Sequence, residues 1–154
     1  MRPISLTCCI GKVMEHACLN RVTTILEKRD VFGPHNIGIR RGLSTQDAML
    51  QIKEQVVNAP STNERTLLGL DIKCAFDTVK DAAISDKTSQ LDLGSRFHRY
   101  VSSFLTRRKV TVKVHGAPPR TVDMRGVGTP QGSVPSPMLF NLIMIRLPER
   151  LDDI

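Results

Sequence analysis

Asp71 stands near the end of an apolar run, Leu67-Leu68-Gly69-Leu70-Asp71-Ile72, with Phe76 a short way beyond it and a second acid at Asp77. Leu67, Leu68, Leu70 and Ile72 predict a buried β-strand that delivers one carboxylate at or near its tip. An acid in an apolar setting is costly without a partner, and a bound cation offsets that cost. Phosphoryl transfer needs such a cation on a stiff element, because the ion activates the nucleophile and balances charge on the leaving group. Helix N-caps and tight turns also place Asp after apolar runs, so Asp71 alone leaves a structural and a catalytic reading open.

A second stretch with chemical potential is Gly128-Thr129-Pro130-Gln131-Gly132-Ser133, followed by an apolar helix at Met138, Leu139, Phe140, Leu142, Ile143, Ile145 and Leu147. A glycine loop before a helix N-terminus permits close backbone approach and offers unpaired N–H groups, both suited to phosphate or sugar. Arg40 and Arg41 precede another helix start, where planar guanidinium groups either reach phosphate or remain solvated. Asp152 and Asp153 form a carboxylate pair, but a catalytic hairpin turn needs a strand on each side and only Ile154 follows. Cys8, Cys9, Cys18 and Cys74 have neither C-x-x-C spacing nor a His at ligand distance, which points to reduced thiols and away from zinc.

The elements that position these residues follow from periodicity. Ile10, Val13, Met14, Ala17, Cys18, Val22, Ile25 and Leu26 recur at three- and four-residue steps and predict a helix over 10–28 with that stripe in the core. Gly33-Pro34-His35-Asn36 breaks it. Ser44 with Asp47 predicts a capping box opening a second helix, with Ala48, Met49, Ile52 and Val56 on one face. The polar stretch 58–63 turns the chain into the Asp71 strand, and Thr78 with Asp81 predicts a weak helix through Leu91. A firmer helix covers 95–106, with Phe97, Val101, Phe104 and Leu105 on its apolar side. Strict alternation over 109–115 puts three valines on one face of a strand and Lys109, Lys113 and His115 on the other, with a return strand over 120–125. That basic face is either the wet side of an edge pair or a seat for a nucleic-acid backbone.

Composition bounds the possibilities. The 154 residues suffice for one modest core, and 40% hydrophobic with 24% charged is ordinary for a soluble domain. Against 15 Asp and Glu stand 22 Lys and Arg, a net charge of +7 that favours a polyanionic partner. With five Phe, one Tyr and no Trp, contact through a phosphate backbone is a better fit than bases stacked on rings. No apolar run reaches membrane-spanning length and the start lacks a signal-peptide h-region, so the expectation is an intracellular protein, in cytoplasm or nucleus.

Taken together, the Asp71-to-Asp77 stretch and the Pro130-Gln131-Gly132-Ser133 loop resemble the reverse transcriptase domain of non-LTR (LINE-type) retrotransposons, whose palm carries a D-x4-[FY]-D element and a PQGS loop. Arg2-Pro3-Ile4-Ser5-Leu6 with Gly11-Lys12-Val13-Met14-Glu15 resembles the family's fingers segment, and the stretch from Gly38 to Ala48 its next block. Gly94-Ser95-Arg96-Phe97 and Pro137-Met138-Leu139-Phe140-Asn141 also fit the pattern. The family usually has an aromatic where Ile39 stands and an aliphatic residue where Pro135 stands.

The resemblance implies an α+β fold: an incomplete fingers and palm, about 1–60 fingers-like and about 64–154 palm-like, with helices packed on a small antiparallel sheet. It implies RNA-directed DNA synthesis with two Mg²⁺ ions, an RNA template, a DNA primer and dNTP as partners. Asp71 would ligate the metals with the Ile72 carbonyl nearby, Phe76 would lie under the sugar and exclude a 2′-hydroxyl, and Gln131 and Gly132 would contact the nucleotide. Arg2 would meet the triphosphate, and Arg40, Arg41, Lys109 and Lys113 the nucleic-acid backbone. The family's [FY]-x-D-D turn and its thumb are not found in these residues, so the expectation is a segment that holds at most one ion weakly and is inert alone. The alternatives are a non-catalytic, basic nucleic-acid-binding remnant and a remnant that does not fold.

Overall fold

Helix α1 (Cys9–Lys28) starts at Cys8, whose Sγ accepts the Gly11 N–H at 3.3 Å, and ends with the Arg29 and Asp30 amides bonded back to its last turn. The structure, a computed structural model, describes residues 6–58, 67–106, 108–123 and 126–152. Helix α4 (Asp81–Gln90), α5 (Ser95–Leu105) and α6 (Ser136–Met144) pack with the C-terminal half of α1. Their shared core is Val22, Leu26, Phe32, Ile84, Leu93, Phe97, Val101, Leu105, Met138, Leu139 and Leu142. The apolar side expected of α5 is the buried one, with Phe97, Val101 and Leu105 inside.

The stripe expected on α1 is only half core. Val22 and Leu26 are buried, but Ile10, Val13 and Met14 lie at the surface, because the inward face runs through Glu15, Leu19, Val22 and Leu26 and is rotated from the apolar stripe. The side chain that α1 buries in its first half is an acid, Glu15.

Helix α2 (Thr45–Ile52) opens as expected. Ser44 Oγ accepts the Gln46 N–H at 3.2 Å, and the Ser44 amide and hydroxyl both donate to Asp47 Oδ2 at 2.7 Å, which holds the Asp47 carboxyl below its ordinary range. The last turns widen over Lys53–Val57, where the Asn58 amide reaches the Lys53 carbonyl.

Between α1 and α2 the chain is tied by Arg40. Its Nη2 and Nε donate to the two Glu27 carboxylate oxygens at 2.6 and 3.1 Å, and its Nη1 donates to the Gly33 and Asn36 carbonyls at 2.6 and 3.1 Å. The guanidinium lies over the Phe32 ring, and the Glu27 hydrogen bond raises its pKa further. From the far side, the buried Asn141 of α6 donates Nδ2–H to the Gly38 carbonyl at 2.7 Å. Next to Arg40, Ile39 takes a φ of +61°, a left-handed setting unusual for a β-branched residue. Lysine keeps the charge of Arg40 but not its planar fork, so Arg40→Lys is expected to lower the unfolding free energy by about 2 kcal/mol in a denaturant titration. An unchanged midpoint would show that the charge alone suffices.

Three expectations fail. Residues 67–72 form no strand: Leu67, Leu68, Leu70 and Ile72 are exposed, and among the described residues the only sheet is β1 (Lys109–Val112) with β2 (Arg120–Asp123). An apolar strand is buried only when neighbouring strands and a covering layer are there to receive it. The β1–β2 hairpin forms as predicted, but the helices pack on one another and not on it, and all eight of its strand residues are exposed. Thr78 does not open a helix; it closes the single-turn α3 (Ala75–Thr78), and α4 starts at Asp81 because the Asp81 amide finds the Gly126 carbonyl at 3.2 Å.

The long C-terminal helix predicted from its apolar run is two, α6 and α7 (Leu147–Asp152), parted at 145–146. Pro148 lacks the N–H that would bond back to the Met144 carbonyl. Asp152 is the last residue of α7, not part of a hairpin turn, and Asp153 lies outside the described residues.

Candidate functional site

The two chemically suggestive stretches meet. Thr129 N–H donates to the Phe76 carbonyl at 2.8 Å and Gly128 N–H to the Val79 carbonyl at 2.7 Å, while Lys80 and Val127 form an antiparallel bridge. With the Asp81 to Gly126 bond, residues 76–81 and 126–129 form a short ladder without belonging to a sheet. Gly128 makes the approach possible. At φ +82°, a Cβ there would fall 3.0 Å from the Asp77 carbonyl oxygen and 3.1 Å from its Cα.

Arg108 anchors the ladder from the side. Its Nη2 donates to the Gly128 carbonyl at 2.6 Å and to both Asp81 carboxylate oxygens at 3.3 and 3.4 Å, and its Nε donates to the Leu105 carbonyl at 3.0 Å. Both side chains are largely buried, and desolvation raises the Asp81 carboxyl above its usual value although Arg108 opposes the shift. Removing Arg108 leaves a shielded carboxylate and a carbonyl unpaired, so Arg108→Ala should cost about 2 kcal/mol of stability at neutral pH. Without Arg108 the folded-state Asp81 pKa climbs further. The deficit should therefore shrink as pH falls through the folded-state Asp81 pKa values, which lie above the usual carboxylate value, and be smallest once Asp81 is neutral in both folded proteins. Unfolding midpoints across pH 3 to 7 check the sign.

Beyond the ladder the loop turns tightly. Ser133 N–H and Ser136 Oγ–H both donate to the Pro130 carbonyl, at 3.1 and 3.0 Å, and the Ser133 and Ser136 hydroxyls hydrogen-bond to each other. Gly132 takes φ +102° at the exposed tip, next to the half-buried Gln131. Glu15 of α1 accepts the Val134 N–H at 2.9 Å through Oε2. Phe76, half-buried, has its ring centroid 5.1 Å from that of Phe140 on α6. The structure thus joins Phe76, Gln131 and Gly132 on one hydrogen-bonded scaffold.

The other predicted residues are placed as follows. Asp71 and Ile72 are exposed, just before the turn into α3, where Cys74 sits at φ +54° and its carbonyl accepts the Asp77 and Thr78 amides. Arg40 directs four of its five N–H groups to Glu27, Gly33 and Asn36, with its side chain largely buried. Arg41 is exposed and lines a groove of about 570 Å³ with Lys28, Thr24, Val134, Pro137 and Met138. Lys109 lies 3.9 Å from the Asp123 carboxylate across the hairpin, Lys113 is exposed, and Arg120 pairs with Val112, so the basic charge is not confined to one face. Arg2 lies outside the described residues.

The Asp71 carboxylate and Ile72 carbonyl are consecutive hard oxygens at the surface, a donor set suited to a cation that completes its shell with water and phosphate. Among the described residues no group of three or more His, Cys, Asp or Glu side chains comes together to hold a metal. Also among them, no helix is long and apolar enough to cross a membrane.

Sequence reasoning missed Arg108, Asp81 and Glu15 as parts of the scaffold. Glu15 alone left a signal: it falls on the face that also carries Leu19, Val22 and Leu26, an acid where the helix turns inward.

The chain matches the reverse transcriptase (RNA-dependent DNA polymerase) family over residues 1–154. It is 33% identical over 149 residues to the probable RNA-directed DNA polymerase from transposon X-element of Drosophila melanogaster, covering 96% of this chain and 16% of that protein. To the corresponding protein from transposon BS of the same fly it is 29% identical over 148 residues, again 96% of this chain and 16% of the relative. The putative 115 kDa protein of the type-1 retrotransposable element R1DM, also of Drosophila melanogaster, is 30% identical over 152 residues, 97% of this chain and 14% of its own length. The chain therefore spans about a sixth of the curated relatives it matches. With a match over residues 1–154, it belongs to the reverse transcriptase family, and the relatives it resembles are RNA-directed DNA polymerases of non-LTR retrotransposons.

Proposed function

We propose that this chain is the nucleotide-selecting segment of an RNA-directed DNA polymerase that serves retrotransposition, extending a DNA primer on an RNA template with dNTPs. The observation that carries the proposal is the ladder between 76–81 and 126–129, which fixes Phe76 relative to the Gln131-Gly132 loop across the intervening chain. Divalent cations, Mg²⁺ in this proposal, supply activation of the primer 3′-hydroxyl and balance charge on the leaving pyrophosphate when bound. Asp71, with the Ile72 carbonyl, holds part of that site.

Phe76, backed by Phe140, presents a ring whose position is fixed and lies beneath the incoming sugar, where it excludes a 2′-hydroxyl. Gln131 contacts the nucleotide, and Gly132 keeps the loop tip free of a Cβ so that the nucleotide can approach. Arg41 and Arg2 are proposed for phosphate, and Lys109 and Lys113 for the template or primer backbone, in keeping with the +7 net charge. A two-ion site takes more carboxylates than Asp71 supplies, so the 154-residue chain by itself is proposed to extend no primer. Such a reaction belongs inside the cell, where template RNA and dNTPs are found. The test is a chimera in which this chain replaces the matching 149 residues of the X-element polymerase, assayed for primer extension with and without Asp71.

A further inference from the structure

Helix α1 takes hold of the loop just after Gln131-Gly132. Glu15 is buried, and Oε2 accepts the Val134 N–H at 2.9 Å across 119 residues of sequence. Val134 is the last residue before Pro135, the N-cap of α6, and Pro135 provides no side-chain hydrogen bond to the helix. Pro135 and Pro137 also lack N–H groups, so the start of α6 has few donors, and the Val134 amide is one of them. Carboxylates are favoured near a helix N-terminus, and here the carboxylate arrives from a different helix. One ring neighbour on α5 feels its charge. Tyr100 is pushed up to about 12, first by burial and then by the charges of Glu15 and Cys18.

The loop is thus held on two sides. Gly128 and Thr129 fasten its entrance to 76–79, and Glu15 fastens its exit to α1, leaving only Gln131 and Gly132 at the tip. We infer that Glu15 is a positioning residue for the nucleotide loop: its carboxylate, through the Val134 amide, sets where Gln131 and Gly132 stand for the incoming dNTP. The inference rests on the proposal that this loop contacts the nucleotide. Its substrate-side consequence is on nucleotide affinity and not on the bond-making step, since Glu15 touches no reacting group.

The test compares Glu15→Met, which keeps the buried stem and loses the acceptor, with Glu15→Gln, whose side-chain carbonyl still accepts an N–H. In the 154-residue chain, hydrogen exchange at the Val134 amide should quicken about tenfold or more in Glu15→Met while Val101 and Leu139 in the core stay within about threefold. Glu15→Gln should restore most of the protection. In the X-element chimera, Glu15→Met should raise the KM for dNTP about tenfold with kcat within about twofold, and adding it to Gln131→Ala should raise KM little further. Unchanged exchange at Val134 in Glu15→Met overturns the inference. So does a fall in kcat at constant KM, the pattern of a purely structural loss. If Gln131→Ala itself leaves KM unmoved, the nucleotide role of the loop fails, whereas the exchange experiment still decides whether Glu15 holds it.

Discussion

Primer extension by the X-element chimera should fall by about a thousandfold or more when Asp71 becomes alanine. A carboxylate that helps hold a catalytic cation is worth several kcal/mol to a phosphoryl-transfer transition state, and each 1.36 kcal/mol is roughly tenfold in rate. Asp71 is exposed and makes no hydrogen bond or ion pair among the described residues, so its removal should leave the thermal midpoint within about 2 °C. Asp71→Asn, which keeps the shape and removes the charge, should be nearly as impaired. Extension that survives both substitutions, in a chimera with an unshifted midpoint, would remove Asp71 from the chemistry and leave a nucleic-acid-binding module as the better description.

The second large effect is on stability. Gly128→Ala should lower the unfolding free energy by about 3 kcal/mol. Left-handed backbone costs a non-glycine residue about 1–2 kcal/mol, and overpacking typically adds about 1–3 kcal/mol. The atoms that a Cβ would meet are the Asp77 carbonyl oxygen, the Asp77 Cα and the Phe76 carbonyl oxygen, all main chain, so no flexible side chain can swing away. Gly132 is the internal comparison. It also has a positive φ but is exposed where Gly128 is buried, so Gly132→Ala should cost less, with strain as its main part. Urea midpoints for the two variants, set side by side, separate crowding from conformation; equal losses would mean that the ladder yields more easily than its geometry indicates.

Local signals in the sequence survived folding where the physics was local. The Ser44 and Asp47 capping box, the alternating hairpin strands, and the face of α5 carrying Phe97, Val101 and Leu105 needed only their own neighbours. Where an outcome depended on distant partners, periodicity misled. Leu67, Leu68, Leu70 and Ile72 have the pattern of a buried strand but lack, among the described residues, a strand to pair with. The inward face of α1 is rotated relative to its most apolar stripe, because the face is chosen by α4 to α6 and tolerates an acid that finds the Val134 amide. The candidate site shows the same division. Phe76, Gln131 and Gly132 were visible as motif residues, but of the groups that support them only Glu15 left a signal; Arg108 acts through a distant carboxylate and the Gly128 carbonyl, partners that no local pattern announces. Arg40 was the converse: a guanidinium beside a helix start suggests phosphate, yet Glu27 and two carbonyls claim it.

The bonds from Gly126, Gly128 and Thr129 back to 76–81 mean that the chain leaves and re-enters at the same place. The described residues between are a detour with its ends clasped, and the exposed hairpin turn around Gly116 lies within it. Lengthening a flexible loop costs only about 0.6 kcal/mol per doubling. Extra residues at that tip would lengthen the detour without shifting Phe76 against Gln131, which makes this turn the natural point for related elements to differ in length, and for an engineer to splice in a tag.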